Sequence, residues 1–161
     1  MPQAAPNAPP DAPRWQVYFS PRGGATQAVV DGLNAAKQTV LVQAYTFTSA
    51  PIAKALVEAH KRGVEVKVIL DRKETGTTYS SADFVAHAGI TTLIDGAHAI
   101  AHNKVMVIDS ETIITGSFNF TTAAERQNAE NLLVIRDKAL AARYAENWQA
   151  HAAHSARYVG R

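Results

Sequence analysis

Short runs rich in β-branched residues alternate along the chain with segments of helical periodicity, and this alternation constrains the fold more than any other feature. From Arg14 onward, strand-like runs are separated by segments whose apolar residues recur every three or four positions. This order predicts βαβ units, and hence a sheet covered by helices on both faces. A tight turn at 109–111 adds an antiparallel pair. The sequence therefore predicts an α/β protein with a mixed, largely parallel sheet.

The same periodicities predict the individual elements. Ser49 is a candidate N-cap, Pro51 fits the first turn of the helix that follows, and Gly63 fits its end. The predicted strands cover residues 15–19, 40–47, 64–70, 90–94, 102–108, 112–115 and 131–135. The predicted helices cover residues 25–36, 50–62, 81–87 and 138–151.

Proline is concentrated at the start of the chain, where five of the seven prolines fall within the first thirteen residues. Residues 1–13 are therefore predicted to be a disordered, Pro/Ala-rich lead-in, and residues 14–161 a single domain. The lead-in lacks the basic start and apolar core of a signal peptide. No apolar run approaches the roughly 20 residues that span a bilayer.

Charge and cysteine content limit the chemistry. The chain carries 16 Lys and Arg against 14 Asp and Glu, a net charge of +2. This mildly basic balance permits a phosphate-rich partner, although no basic stripe or tail stands out. There are no cysteines, which excludes disulfides, thiolate metal sites and a cysteine nucleophile.

The stretch AHNKVMVIDSETIITGSFN, at 101–119, concentrates polar groups that suit a phosphate diester. His102 and Lys104 share a face of a strand, and Ser117 and Asn119 share a face if the backbone stays extended. An imidazole can act as nucleophile or proton carrier, and an ammonium can neutralise a phosphate oxygen. Hydroxyl and amide groups add donors in fixed positions. No carboxylate cluster is nearby to hold Mg²⁺, so no metal and no cofactor are expected.

The spacing of these residues resembles the HKD signature of the phospholipase D superfamily, in a single copy. The matching positions are His102, Lys104, Asp109, Gly116, Ser117 and Asn119. Stretches beginning at Ala44 (AYTFTSAPIAKAL), Lys61 (KRGVEVKVILD) and Phe118 (FNFTTAAERQNAEN) are similar to the small bacterial endonucleases of that superfamily. The resemblance covers nearly the whole chain from about Trp15 to Trp148.

The resemblance implies a metal-independent reaction through a covalent phosphohistidine. His102 matches the attacking histidine, while Lys104 and Asn119 match positions that hold the non-bridging oxygens and Ser117 supports the same pocket. Glu130 matches a glutamate that orients the imidazole. Asp109 belongs to the same catalytic signature, with a role that we interpret as structural or electrostatic.

A single copy of the motif predicts a homodimer. In-line displacement needs a nucleophile and an acid on opposite sides of phosphorus, and one chain supplies one such histidine. The second must come from another chain, most simply through a two-fold axis at which both copies of His102 meet.

Six further residues are weaker candidates. Arg72 and Lys73 follow a strand's carboxyl end, where α/β proteins place ligands, and are candidates for binding flanking phosphates, as is Arg126. The alternative for all three is a solvated surface. His98 is expected at the rim of the pocket. His151 and His154 have a spacing that can bind metal on a helix, but a solvated helix end is the favoured interpretation.

The leading functional hypothesis is a nuclease that cleaves DNA or RNA with little sequence preference. The alternatives are a lipid phosphodiesterase or phosphatidyl transferase, and a nucleic-acid-binding module that lacks the chemistry. Export to the periplasm or the medium is expected from the resemblance to small nucleases.

Overall fold

The computed structural model describes residues 13–161, which form an eight-stranded sheet with helices on both faces. The strands are β1 Trp15–Ser20, β2 Thr39–Ala44, β3 Glu65–Asp71, β4 Thr91–Asp95, β5 Lys104–Ile108, β6 Thr112–Gly116, β7 Glu130–Arg136 and β8 Ala156–Tyr158. The helices are α1 Ala25–Ala35, α2 Ala50–Lys61, α3 Ala82–His87, α4 Thr122–Arg126 and α5 Lys138–Ala152, with a short 3₁₀ helix at Arg72–Thr75. The predicted lead-in, except for its last residue, lies outside the described residues.

The sheet is mixed, as predicted, but contains fewer parallel pairs than predicted. Its order is β1-β7-β6-β5-β2-β3-β4-β8. Only β2–β3 and β3–β4 pair in parallel, whereas the other five neighbouring pairs are antiparallel. The difference arises after β4: no helix separates β4 from β5 or β5 from β6, and β7 returns antiparallel to β6 after only the short helix α4. Direct connections produce antiparallel neighbours, whereas a parallel pair needs a crossover.

Side chains alternate between the two faces along each central strand, which explains the helices on both sides. Val40, Val42 and Met106 pack in the larger core under α1 and α2. Val105, Val107 and Ile113 pack in a smaller core against Ala141 of α5. The strands at the centre are therefore buried on both faces, and their sequences are almost continuously apolar.

The carboxyl ends of β2, β3, β4 and β6 and the amino ends of β5 and β7 lie at the same edge of the sheet. Ala44, at the end of β2, pairs with Lys104, at the start of β5. Gly116, at the end of β6, pairs with Leu132 near the start of β7. The carboxyl ends of β3 and β4 lie at the same edge, because they run parallel to β2.

Within residues 13–161, no helix combines the length and the apolar character needed to cross a bilayer.

Candidate active site

A cleft of about 520 Å³ opens at this edge of the sheet. Its walls bring together five of the six residues predicted to be catalytic, namely His102, Lys104, Ser117, Asn119 and Glu130. These side chains come from the start of β5, the segment after β6 and the start of β7. They are contiguous in space because β5, β6 and β7 are antiparallel neighbours.

His102 and Lys104 form the centre of the cleft. The Lys104 Nζ atom lies 3.0 and 3.1 Å from the two ring nitrogens of His102 and donates a hydrogen bond of 2.9 Å to its backbone carbonyl. The His102 side chain is exposed, whereas Lys104 is buried at the first position of β5. Burial lowers the pKa of Lys104, and the charge of Glu130 opposes that shift. The exposed imidazole of His102 therefore lies beside the ammonium group of Lys104, whose position is fixed by burial and by its hydrogen bond to the His102 carbonyl.

Gly116 allows the chain to bring Ser117 next to β7. Its φ of +144°, and the 2.3 Å that would separate a Cβ atom from the Asn131 carbonyl, require glycine. Ser117 Oγ donates to Glu130 Oε1 at 2.9 Å and accepts the backbone N–H of Asn131 at 3.1 Å. The carboxylate of Glu130 thus contacts Ser117 directly. Among the described residues, it makes no hydrogen bond to His102, the contact that the resemblance implied.

Asn119 is half-buried in the wall of the cleft. Its Oδ1 atom is buried and has no hydrogen-bond partner within the described part of the chain. A buried unpaired acceptor costs stability, and such groups need an explanation beyond packing. The cleft does not provide one, because this buried oxygen can only accept; the part of the amide suited to a phosphate oxygen is the Nδ2 donor.

Tyr45 is a cleft-side residue that the sequence analysis did not identify. It follows β2, and its ring meets the His102 ring edge-on with centroids 4.5 Å apart. Lys73 Nζ lies 3.5 Å from the Tyr45 ring centroid and donates to Thr46 Oγ1 at 2.7 Å. A second cation, Lys73, therefore contacts the aromatic ring that packs against the imidazole. The available signal was position directly after a strand, which the sequence analysis applied to Arg72 and Lys73 after β3 but not to Tyr45 after β2.

The other basic candidates lie outside the cleft wall. Arg72 is exposed and directs its guanidinium to the Ala99 carbonyl at 3.5 Å. Arg126, also exposed, lines a separate groove between α1 and α4.

Asp71, which precedes Arg72, accepts the backbone N–H of Ala101 at 2.7 Å, and this hydrogen bond fixes the segment that leads into His102.

The structure does not bring Asp109 to the cleft, although it was grouped with the catalytic residues. It follows β5 at the opposite end from Lys104. Its carboxylate accepts backbone N–H groups of Lys37, Gln38 and Thr39 at 2.7–3.2 Å. These contacts tie the turn before β2 to the β5–β6 hairpin, which is the structural alternative considered for this residue.

Three other histidines occupy positions that differ from expectation. His98 was expected at the pocket rim, and His151 and His154 at a solvated helix end. All three instead converge on Asp95, and we call these four residues the histidine cluster. Burial alone would raise the pKa of Asp95, but hydrogen bonds from the histidines and from Ala97 N–H outweigh it and lower that pKa well below its usual range.

This fold and cleft define a class of protein. The family model described as "Cardiolipin synthase, PLD-like domain" matches residues 29–152. The chain therefore belongs to the phospholipase D-like family, whose members are phosphodiesterases.

Individual proteins with known names are similar to this chain in sequence. The chain is 42% identical over 130 residues to the phospholipase D of Rickettsia bellii, covering 81% of this chain and 65% of that protein. It is 33% identical over 119 residues to the mitochondrial cardiolipin hydrolase of Chlamydomonas reinhardtii, covering 74% and 53%. The chain thus spans between half and two thirds of the length of these relatives.

Among solved structures, Nuc from Salmonella typhimurium, a phospholipase D family member, superimposes with a TM-score of 0.87 at 39% identity. That match covers 89% of this chain and 97% of Nuc. NucT from Helicobacter pylori superimposes with a TM-score of 0.81 at 19% identity, which supports the shared fold.

Proposed function

We propose that this chain is a metal-independent phosphodiesterase that hydrolyses nucleic acid with little sequence preference. The observation that carries the proposal is the exposed His102 imidazole in contact with the buried Lys104 ammonium in an open cleft. Among the described residues that line the cleft, Glu130 is the one carboxylate. That donor set suits a phosphate anion better than it suits Mg²⁺, which prefers oxygen ligands.

The chemistry follows from the positions of the groups. A His102 ring nitrogen attacks phosphorus and forms an N–P bond as the P–O bond to the leaving group breaks. A second imidazole protonates the leaving oxygen. Water then attacks phosphorus from the side the leaving group occupied, with the second imidazole now accepting its proton, and the N–P bond breaks. Lys104 and the Asn119 amide stabilise the negative charge on the non-bridging oxygens.

The second imidazole belongs, in this proposal, to His102 of a second copy. An apolar strip on β1 supports a two-fold dimer. Trp15, Val17 and Phe19 are 57%, 37% and 65% exposed and, because they alternate with Gln16 and Tyr18, share one face of the strand. Contiguous exposed apolar side chains are typical of an interaction surface. The strip ends beside Ser20, whose partner in β7 is Glu130 of the cleft wall.

Plasmid cleavage in excess EDTA tests the proposed chemistry. We expect nicking and degradation of supercoiled DNA by the wild-type chain, and loss of at least about 1,000-fold with His102→Asn. His60→Asn, which changes a histidine of α2 outside the cleft, is the matched control and should cleave normally. Circular dichroism in the same buffer must show a folded chain. Cleavage that requires added Mg²⁺ would contradict the mechanism.

A lipid phosphodiesterase is the second candidate, because relatives carry the names phospholipase D and mitochondrial cardiolipin hydrolase. Phosphatidyl transfer uses the same intermediate with an alcohol in place of water. Turnover of phosphatidylcholine and cardiolipin vesicles, measured beside DNA at equal protein concentration, distinguishes the two. Faster lipid turnover that is lost with His102→Asn would keep the mechanism and replace the substrate.

A further inference from the structure

The histidine cluster lies outside the proposed active site and has the composition of a metal centre. Asp95 is the last residue of β4 and is fully buried. Three imidazole nitrogens contact its Oδ2 atom, namely His98 Nδ1 at 3.0 Å, His151 Nδ1 at 2.9 Å and His154 Nε2 at 3.1 Å. His98 Nδ1 also lies 3.3 Å from Oδ1, which accepts the Ala97 N–H at 3.0 Å. Three imidazoles thus converge on one buried carboxylate, which is the donor set of a metal site.

The distances suit four ligands around one ion. The four donor atoms lie within 4.8 Å of one another. Ligands of a tetrahedral zinc ion stand about 3.4 Å apart, because the bonds are about 2.1 Å long. Small rotations of the three imidazole rings would therefore place all four donors around a common centre. The side chains of His98 and His154 are partly exposed, which gives an ion a route of entry.

We propose that Asp95, His98, His151 and His154 bind a zinc-class divalent cation as a structural site. Imidazole nitrogens select zinc and its neighbours over Mg²⁺ and Ca²⁺, which prefer all-oxygen sites. Four protein ligands complete a tetrahedral sphere, and a closed sphere is typical of structural rather than catalytic zinc. Because the chain has no cysteine, histidine and carboxylate are the strong zinc ligands available to it.

The ion would join parts of the chain that are distant in sequence. Asp95 ends β4, His151 lies in the last turn of α5, and His154 lies between the end of α5 and the start of β8. The strand β8 pairs with β4, so the ion would fasten the end of the chain to the sheet. His98 precedes His102 by four residues, so the same ion would hold the segment that leads into the cleft.

Zinc titration of the untagged full-length chain tests the proposal. After removal of metal with a chelator, Zn²⁺ is added in competition with a chromophoric chelator and bound metal is counted by mass spectrometry. We expect about one zinc ion per chain and a higher Tm with zinc. His154→Asn and His98→Asn should each weaken zinc binding by at least about tenfold and remove the Tm shift.

Two control variants locate the site. His60→Asn and His102→Asn should bind zinc as the wild type does, since neither residue belongs to the histidine cluster. Failure of the wild type to bind zinc, or an equal loss with His102→Asn, would overturn the proposal. The second result would place the ion in the cleft.

A ligand exchange keeps the proposal testable if the asparagine variants unfold. His154→Cys adds the only thiol in the chain and retains a zinc ligand at that position. With Co²⁺ as the probe, this variant should develop a thiolate-to-cobalt charge-transfer band that is absent from the wild type. The band should disappear on addition of Zn²⁺. Absence of the band in a folded His154→Cys chain would contradict coordination by this residue.

Discussion

Glu74 is a fully buried carboxyl group that supports the loop carrying Tyr45. Its Oε2 atom accepts hydrogen bonds from Ser80 Oγ at 2.7 Å and from Phe47 N–H at 3.3 Å. Its Oε1 atom is buried and has no partner among the described residues. Burial raises the pKa of Glu74 above 4.5, although these hydrogen bonds act in the opposite direction. Ionisation of this group therefore disfavours the folded state.

Glu74→Gln should reduce the pH dependence of folding stability. Because the folded-state pKa is raised, the stabilisation by Glu74 is complete below its unfolded pKa and is lost as pH rises through its folded pKa. Glutamine keeps an acceptor and cannot ionise. We expect the free energy of unfolding, measured by urea denaturation, to fall less between pH 4 and pH 8 than in the wild type. The exposed Glu65→Gln is the matched control, and parallel pH profiles for Glu74→Gln and the wild type would contradict the prediction.

At the scale of elements, periodicity predicted the long helices and the central strands to within one to three residues. The 3₁₀ helix at Arg72–Thr75 and the helix at Thr122–Arg126 were missed, because elements this short complete little more than one turn. The strand at Ala156–Tyr158 was also missed, because its three residues are stabilised by pairing with β4 rather than by their own pattern.

Candidate site residues were predictable where the motif is local. His102 and Lys104, like Ser117 and Asn119, are two positions apart, and strand pairing brings the two pairs together. The histidine cluster was not predictable, because 56 residues separate His151 from Asp95 and only the docking of α5 joins them. For Asp109 the motif alone was misleading. Its spacing matches the motif, but its carboxylate binds backbone N–H groups at the end of β5 that is far from the cleft.

The hydrogen bonds of Asp109 predict a loss of stability rather than of catalysis. Asp109→Ala removes the acceptor of three backbone N–H groups and should lower the free energy of unfolding by about 2 kcal/mol. Asp109→Asn keeps one acceptor oxygen and tolerates the positive φ of 53°, so it should cost less. At a temperature where both variants remain folded, kcat on DNA should match that of the wild type. A large fall in kcat with unchanged stability would return Asp109 to the catalytic group.

At the scale of the whole molecule, the apolar strip on β1 predicts the oligomeric state. Phe19→Lys places a charge at the most exposed position of the strip and should convert a dimer to a monomer in sedimentation analysis. The monomer should remain folded and lose DNA cleavage, because it lacks the second imidazole. Gln16→Lys, on the opposite face of β1, is the control that should stay dimeric. A monomeric variant with full activity would show that catalysis does not need the dimer formed through the strip.

Export to the periplasm or the medium stays a prediction.

A shared active site also predicts how wild-type and inactive chains combine. When wild-type chains exchange subunits freely with His102→Asn chains, a site that needs His102 from both protomers forms only in pure wild-type dimers. Activity then follows the square of the wild-type fraction, so equal mixing leaves about one quarter of the initial activity per total protein. A site complete within one chain leaves about one half. His60→Asn chains mixed in the same way should cause no loss. A linear response in a preparation shown to exchange subunits would mean that each chain carries its own acid, and the search for it would turn to other residues around the cleft.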